Sequence, residues 1–516
     1  MRKMMKPLFV LVAVCAVTIA AAQKKADPGV FARTITTADL KAHLSVIASA
    51  EMEGRDTPSP GLEKAAEYIT AHFKKLGLQP GNNGSYRQTF GLSKDSLAKL
   101  DLSVNGIHFE AFKDVAPMWV NGEKVLLDYK EYAFAGYGIV DAGRDDYDGM
   151  DVKGKLVVII GGSPEGFTPS KEGRLASTAT AIKVKNALQK GAAAILVATE
   201  QIPPRSKSPV VYRPDWEKNT PGQAPPVFYI SANVVEKVSG HSYAEVKAAL
   251  DNGQAKPGIS EAALTLDYRL QRDRATASNV LGVIEGTDKK DEYLFITAHY
   301  DHVGKDAAGN IYYGADDDGS GTVSVLEMAE AFARAKKAGK GPRRTIVFMT
   351  VSGEEKGLWG SEYYSDNPVF PLDKTTADLN IDMIGRVDTE RMSADTLNYV
   401  YVIGHDKLST DLPVINEGMN NKYTKLVLDY KFDDPNDKEQ IYYRSDHFNF
   451  ARKGVPILFF YDGMLKADYH KPTDTIEKIN FALMAKRAQM IFYTAWEMAN
   501  RDQMLKRDLK LPEQAR

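Results

Sequence analysis

Residues 293–299 read YLFITAH, and four later stretches share their texture: TIVFMTVSG (345–353), ADLNIDMIG (377–385), YVYVIG (399–404) and VPILFFYDG (455–463). Each is apolar at successive positions rather than at alternate ones, so both faces of the strand it forms are to be buried. Helical patterns at 323–337 and 481–500 are interspersed among them. Strands buried on both faces, with helices between them, predict an α/β fold in which a mainly parallel mixed sheet is sandwiched by helices. In such sheets ligands bind beyond the carboxyl ends of the strands, so the residues that follow each run are the first candidates for chemistry.

Upstream, TTADLKAHLSVIAS (36–49) offers Thr36 and Thr37 as helix N-caps. GLEKAAEYITAHFKKLGLQPG (61–81) places Ala65, Ile69, Phe73 and Leu76 on one helical stripe before stopping at Gly77 and Pro80. LDLSVNGIHFEAF (100–112) has strand character. Near residue 125 the texture changes to EYAFAGYGIV (131–140), KGKLVVIIGGSP (153–164) and AAAILVAT (192–199), the last two flanking a helical segment at 177–192. A Pro- and Lys-rich excursion covers 201–226, and regular strand–helix alternation resumes from about 264. The expected organisation is a leader at 1–22, a first part of the main domain at 23–124, a small β-rich insertion at 125–265 and the remainder of the main domain at 266–516.

The first 22 residues read as a secretory leader. Arg2, Lys3 and Lys6 precede the apolar LFVLVAVCAVTIA, which is too short to span a bilayer and ends at the small residue Ala20, with Ala21 and Ala22 next. The lone Cys15 lies inside it, so the mature chain is expected to carry neither thiol nor disulfide and to be periplasmic or extracellular. Without the leader the chain has 63 basic and 68 acidic residues, a mild imbalance. No basic run or second long apolar segment supports nucleic-acid or membrane binding. At 516 residues, 43% hydrophobic and 26% charged, the composition is that of a folded protein.

The chemistry collects after the strands. His299 follows YLFITA, and Asp301, two residues on, faces the same way in extended backbone, placed to orient the imidazole while its other nitrogen binds a metal. GADDDGSGT (314–322) sets Asp316, Asp317 and Asp318 side by side before a helix. One aspartate there is explained by capping and by the positive helix terminus, but three adjacent carboxylates need a cation. Glu354 and Glu355 follow TIVFMTVSG, suiting a division of labour in which one binds metal and its neighbour moves protons. ADLNIDMIG carries Asp382 inside an apolar strand, where a lone charge is costly. His470 lies in the polar DYHKPTDT loop (468–475), where a histidine by itself is usually a surface residue. Two histidines with several carboxylates form a two-metal inventory, with the aspartate cluster as the natural bridge.

The motifs HYDH (299–302), GADDDGSGT, SGEEKGLWGSE (352–362), NIDMIGR (380–386) and YHKPTDT (469–475), in this order, resemble those of the secreted di-zinc aminopeptidases of metallopeptidase family 28. The resemblance implies a zinc-peptidase, phosphorylase/hydrolase-like fold and two zinc ions per chain. It implies that His299, Asp317 and Asp382 hold one ion and that Asp317, Glu355 and His470 hold the other. Glu354 would be the general base, Asp301 would orient His299, and the Asp317–Asp318 peptide would be cis. IYYRSDHFNF (441–450) resembles a family segment in which a tyrosine hydroxyl steadies the tetrahedral intermediate; Tyr442, or its neighbour Tyr443, takes that place. The stretch 125–265 resembles a protease-associated (PA) domain.

The activity so implied is removal of N-terminal residues from peptides with a free N-terminus. A carboxypeptidase or dipeptidase on the same scaffold is the alternative, with Arg386 and Arg444 near the right motifs for a substrate carboxylate. Glutaminyl cyclisation fits less well because both ligand sets are present, and a receptor-like protein without metals would not need them.

Overall fold

The computed structural model describes residues 27–120, 124–203, 210–216, 225–392, 395–434 and 436–511; the expected leader and Cys15 lie outside them. After a single helical turn at Gly29–Ala32 come two longer helices, α1 (Thr37–Ile47) and α2 (Pro60–Leu76). Thr36 caps the first by accepting from the Asp39 N–H, and Ser59 caps the second by accepting from the Leu62 N–H. Pro60 opens α2, and Gly77, in the left-handed region at φ 77°, closes it. Ala65, Ile69 and Phe73 of the expected stripe are fully buried.

The main-domain sheet is built from β1 (Gly258–Ile284), β2 (Lys289–His299), β3 (Arg344–Val351), β4 (Thr375–Ile381), β5 (Tyr399–Ile403) and β6 (Ile457–Tyr461). Strands β3, β2, β4 and β6 are neighbours in that order and parallel. Antiparallel β1 flanks them on one side and antiparallel β5 on the other. The apolar runs are buried on both faces as their texture requires. Leu294, Ile296 and Ala298 point into one core with Ile346 and Phe348, while Phe295 points into the opposite core with Val347 and Met349. The first core is closed by α1, α2, α3 (Gly319–Lys337) and α4 (Phe481–Asn500). Phe332 of α3 packs there against Phe348, Phe492 and Trp496, with ring centroids 6.1, 4.6 and 5.8 Å away.

The intervening region has its own apolar clusters, including Leu102, Ile160, Leu196, Ile230 and Leu264. Three of its strands, Leu156–Ile160, Ala194–Ala198 and Val227–Ile230, run parallel, with the helix Thr180–Gln189 between the first two. Strand β1 belongs to both regions. Residues 258–269 pair with Lys124–Phe134 and residues 280–284 pair with β3, so residue 265 falls inside one continuous 27-residue strand. No helix among the described residues is long and apolar enough to cross a membrane.

Candidate metal centre

Three of the parallel strands deliver the candidate residues at their carboxyl ends. β2 ends at His299, β3 is followed by Glu354 and Glu355, and β4 ends at Ile381, so Asp382 lies just beyond its strand rather than inside it. The aspartate loop sits opposite these ends, and its backbone is held from outside. Asp474 accepts N–H bonds from Asp316 at 3.0 Å and Asp317 at 3.1 Å. The peptide between Asp317 and Asp318 is cis. The three aspartates do different work. Asp316 accepts from the Gly385 N–H, and Asp318 accepts from the N–H groups of His299, Gly321 and Met383, tying β2, α3 and the chain after β4 together. Gly321 permits this close approach, because a Cβ there would lie 2.4 Å from both the Asp318 carboxylate and the Ile381 carbonyl.

Asp317 is left to face the histidines. Its Oδ1 is 3.4 Å from His299 Nε2, and its Oδ2 is 3.1 Å from His470 Nε2. His299 Nε2 is also 3.6 Å from Asp382 Oδ1, and His470 Nε2 is 2.8 Å from Glu355 Oε2. The donors therefore fall into two sets sharing one carboxylate, with an oxygen of Asp317 turned to each. Asp318 also lies within reach of His299 and Asp382, but its two oxygens are already occupied by backbone donors.

The electrostatics match a cation site. Burial opposes charge on His299, yet Asp382 and Glu354 outweigh it and hold the imidazole well above its ordinary value. Burial likewise opposes charge on His470, but Asp317 and Glu355 push it up to about 10. Burial works against an ionised Asp317, and His299 and His302 overcome it and hold the carboxyl well below its usual range. The buried atoms His299 Nε2, His470 Nε2, Asp317 Oδ2 and Glu355 Oε1 have no hydrogen-bond partner. Buried polar atoms are almost always paired, and imidazole nitrogen with carboxylate oxygen at these separations is the donor chemistry of zinc. The residues present fit zinc.

Glu354 stands beside the first set without joining it, its Oε2 3.9 Å from His299 Nε2. Its N–H donates to Asp301 Oδ1 at 3.2 Å. Burial, reinforced by Glu355 and Asp382 and opposed by His299, pushes its carboxyl well above the ordinary range. The other carboxylate oxygen of Asp301 accepts from Thr57 Oγ1 at 3.0 Å. His299 Nδ1 bonds the main-chain oxygen of Asp301 at 3.1 Å, while the Asp301 carboxylate stands 3.7 Å away. The imidazole is thus oriented by the carbonyl, and the carboxylate steadies the turn that carries Glu354.

Tyr442 is placed differently from the expectation. It is 1% exposed, sits in the apolar core below the strands, and its hydroxyl has no partner. Its neighbour Tyr443 lines a cleft toward the 140–189 segment. The cleft over the donor sets is lined instead by Asp317, Glu354, Asp382, Arg444, Tyr461 and Tyr469. The short helical turn Ile441–Tyr443 carries the Tyr442 ring into the core, a direction that spacing from Ser445-Asp446-His447 does not set. Arg386 pairs with Asp468 at 2.7 Å and does not line the cleft. A larger cavity of 600 Å³ lies in the intervening region between Tyr132, Ile160, Val235 and Val246, remote from these donors.

One residue escaped the sequence reading. His302, buried, brings Nδ1 to 2.9 Å from Glu355 Oε1 and 3.7 Å from Asp317 Oδ2. It stands in the HYDH motif, but strand alternation projects only His299 and Asp301 to one side, and the chain leaves the sheet before residue 302.

Comparison with known proteins places these residues in a common frame. Residues 279–495 match the model of Peptidase family M28. A probable leucine aminopeptidase of Trichophyton verrucosum is 32% identical over 228 residues, covering 43% of this chain and 57% of that protein. Leupeptin-inactivating enzyme 1 of Streptomyces exfoliatus is 27% identical over 278 residues, 50% of this chain and 56% of its own. The chain thus spans a little over half the length of these curated relatives. Among solved structures, an aminopeptidase from Aneurinibacillus sp. strain AM-1 covers 94% of this chain and 99% of its own, with a TM-score of 0.58 at 18% identity. BSAP, a zinc aminopeptidase from Bacillus subtilis, covers 92% and 99%, with a TM-score of 0.52 at 20% identity. At these identities the two structures speak for the fold. The segment 279–495, which carries His299, Glu354, Glu355 and Asp382 after its parallel strands and Asp317 and His470 in loops beside them, is thus similar to Peptidase family M28.

Proposed function

We propose that the chain is a zinc-dependent aminopeptidase that removes N-terminal residues from peptides. The observation that carries the reading is the position of Asp317, whose two oxygens face different histidines while Glu354 stands beside the first donor set without joining it. His299, Asp317 and Asp382 would hold one ion and Asp317, Glu355 and His470 the other. Such a pair, when bound, supplies Lewis-acid polarisation of a carbonyl and lowers the pKa of water.

The remaining work falls to side chains. Glu354 takes the proton from the attacking water at its carboxylate and returns it to the leaving amine, the role for which burial and its carboxylate neighbours have raised its basicity. Asp301 and Thr57 hold the turn from which Glu354 projects. Tyr461, whose buried hydroxyl is unpartnered and lines the cleft, is placed to donate to the developing oxyanion in the role expected of Tyr442.

The test is a panel of aminoacyl fluorogenic substrates with and without chelator, together with zinc counted per chain. Cleavage of peptides blocked at the C-terminus, lost when the N-terminus is blocked, supports the reading; the reverse pattern overturns it. That reverse pattern would favour the carboxypeptidase or dipeptidase alternative, for which Arg444 at the cleft is the supporting residue. The leader motif further supports export to the periplasm or the exterior, tested by N-terminal sequencing of the protein recovered outside the cytoplasm. The intervening 125–265 region is read as a PA-like insertion that borders access to the cleft. Its Arg174 N–H bonds the Lys438 carbonyl at 3.1 Å, and the Arg174 guanidinium feels the charge of Arg444.

A further inference from the structure

We propose that His302 is a fourth protein ligand to the ion held by Asp317, Glu355 and His470. That position is then closed by protein, and the position at His299, Asp317 and Asp382 is the one left open to substrate. The inference rests on the two-metal reading above and deepens it by making the positions unequal.

The donors gather around one point, at separations that bracket those of a tetrahedral site. Donors sharing a tetrahedral zinc at about 2.0–2.2 Å lie about 3.3–3.6 Å from one another. Around Glu355 and Asp317 the separations are 2.9 and 3.7 Å from His302 Nδ1, and 2.8 and 3.1 Å from His470 Nε2. All four donors lie within 4.8 Å of one another, and the two imidazole planes are nearly perpendicular at 74°. Despite the 2.9 Å approach, His302 Nδ1 makes no properly directed hydrogen bond to Glu355, and both its ring nitrogens are buried without a partner. A buried imidazole so placed costs stability unless something accepts its lone pair.

The fold makes room for this ring. Gly314, at φ +55°, adjoins it, and a Cβ there would come within 2.6 Å of two imidazole carbons. The backbone on either side is pinned by Arg55, fully buried, which donates to the carbonyls of Tyr300 at 2.8 Å and Gly314 at 2.9 Å and accepts from the His302 N–H at 3.1 Å through its own carbonyl. A four-ligand set of this kind is characteristic of closed sites, and a three-ligand set of sites that take substrate.

The test uses the full chain in a Cys15→Ser background, which contains no other cysteine. Metal-stripped protein is titrated with Co²⁺ for wild type, His302→Ala and His302→Cys. Wild type is expected to bind two ions in a tight and a weaker step, and His302→Ala to weaken the tight step about tenfold or more, equivalent to about 1.4 kcal/mol. His302→Cys is expected to show a thiolate-to-cobalt charge-transfer band saturating at one ion per chain, a signature that a hydrogen-bonding role for His302 would not produce. Should the alanine variant not fold, the cysteine variant decides. Two ions bound by His302→Cys without the band, or wild-type affinities in His302→Ala, would overturn the assignment of His302 and leave the two-metal reading standing. Failure of wild type to bind any Co²⁺ would overturn that reading and this one with it.

Discussion

Replacing Glu354 with glutamine separates its chemistry from its surroundings. The amide keeps the side chain's size and the backbone N–H bond to Asp301 at 3.2 Å, and it leaves both donor sets whole, because Glu354 Oε2 stands 3.9 Å from the nearest histidine nitrogen. Only the basicity is lost. General acid–base assistance is worth about 10²–10⁴-fold, or about 2.7–5.4 kcal/mol of transition-state stabilisation, and kcat is expected to fall by that amount while zinc content stays unchanged. Stability should move the other way. Burial, with Glu355 and Asp382 close by, raises the Glu354 carboxyl well above its ordinary value of 4.5 in the metal-stripped fold. A raised carboxyl makes its ionisation a cost to folding that is absent below the unfolded value and grows as pH rises through the folded one. Metal-stripped Glu354→Gln should therefore melt higher than metal-stripped wild type at pH 7–8, and the difference should vanish below about pH 4.5. The assays are turnover of an aminoacyl anilide, metal content per chain and calorimetric melting across that range. Turnover within about tenfold of wild type, with both ions bound, would refute the role given to Glu354.

Other perturbations probe the frame around the site. Phe332→Ala removes a ring packed against Phe348, Phe492 and Trp496 and should cost about 3–5 kcal/mol in denaturant unfolding; a cost under about 1 kcal/mol would mean that these helices repack freely. His72, held down to about 4 by burial with His43 beside it, is neutral in the fold and gains a proton on unfolding. Stability should thus decline as pH falls from about 6.5 to about 4, by up to about 3 kcal/mol, and His72→Leu should flatten that decline, whereas parallel pH profiles would contradict it. Tyr442→Phe should leave kcat/KM within about twofold, since the hydroxyl has no partner and does not line the cleft, whereas Tyr461→Phe should lose about 10²-fold. Equal effects of the two substitutions would return the role to the 441–450 segment.

Much of this was written locally in the chain. Apolar runs with no polar alternation dictated strands buried on both faces, and Leu294, Phe295 and Ile296 do fall alternately into two cores. Thr36, Ser59, Pro60 and Gly77 mark helix ends by their own backbone and side-chain preferences. Less of the site could be read this way where a residue's direction depends on how the chain leaves its strand. His302 looked like a continuation of a motif, and only the turn anchored by Arg55 swings it toward Glu355. Asp474 is 157 residues from Asp317 in the chain, and nothing in its neighbourhood announces that it accepts backbone N–H groups from the aspartate loop.

The distinction among Asp316, Asp317 and Asp318 marks where the two kinds of information divide. By itself, the sequence determined that three adjacent carboxylates stand at a strand-end loop before a helix, and that repulsion among them calls for positive charge. Which carboxylate faces the histidines was decided by tertiary structure, because backbone donors from Gly321, Met383 and His299 occupy both oxygens of Asp318, the Gly385 N–H turns Asp316 away, and Asp317 is left facing His299 and His470. The strength of a carboxylate as a ligand depends on which donors already satisfy it, and those donors come from strands that meet only in the fold.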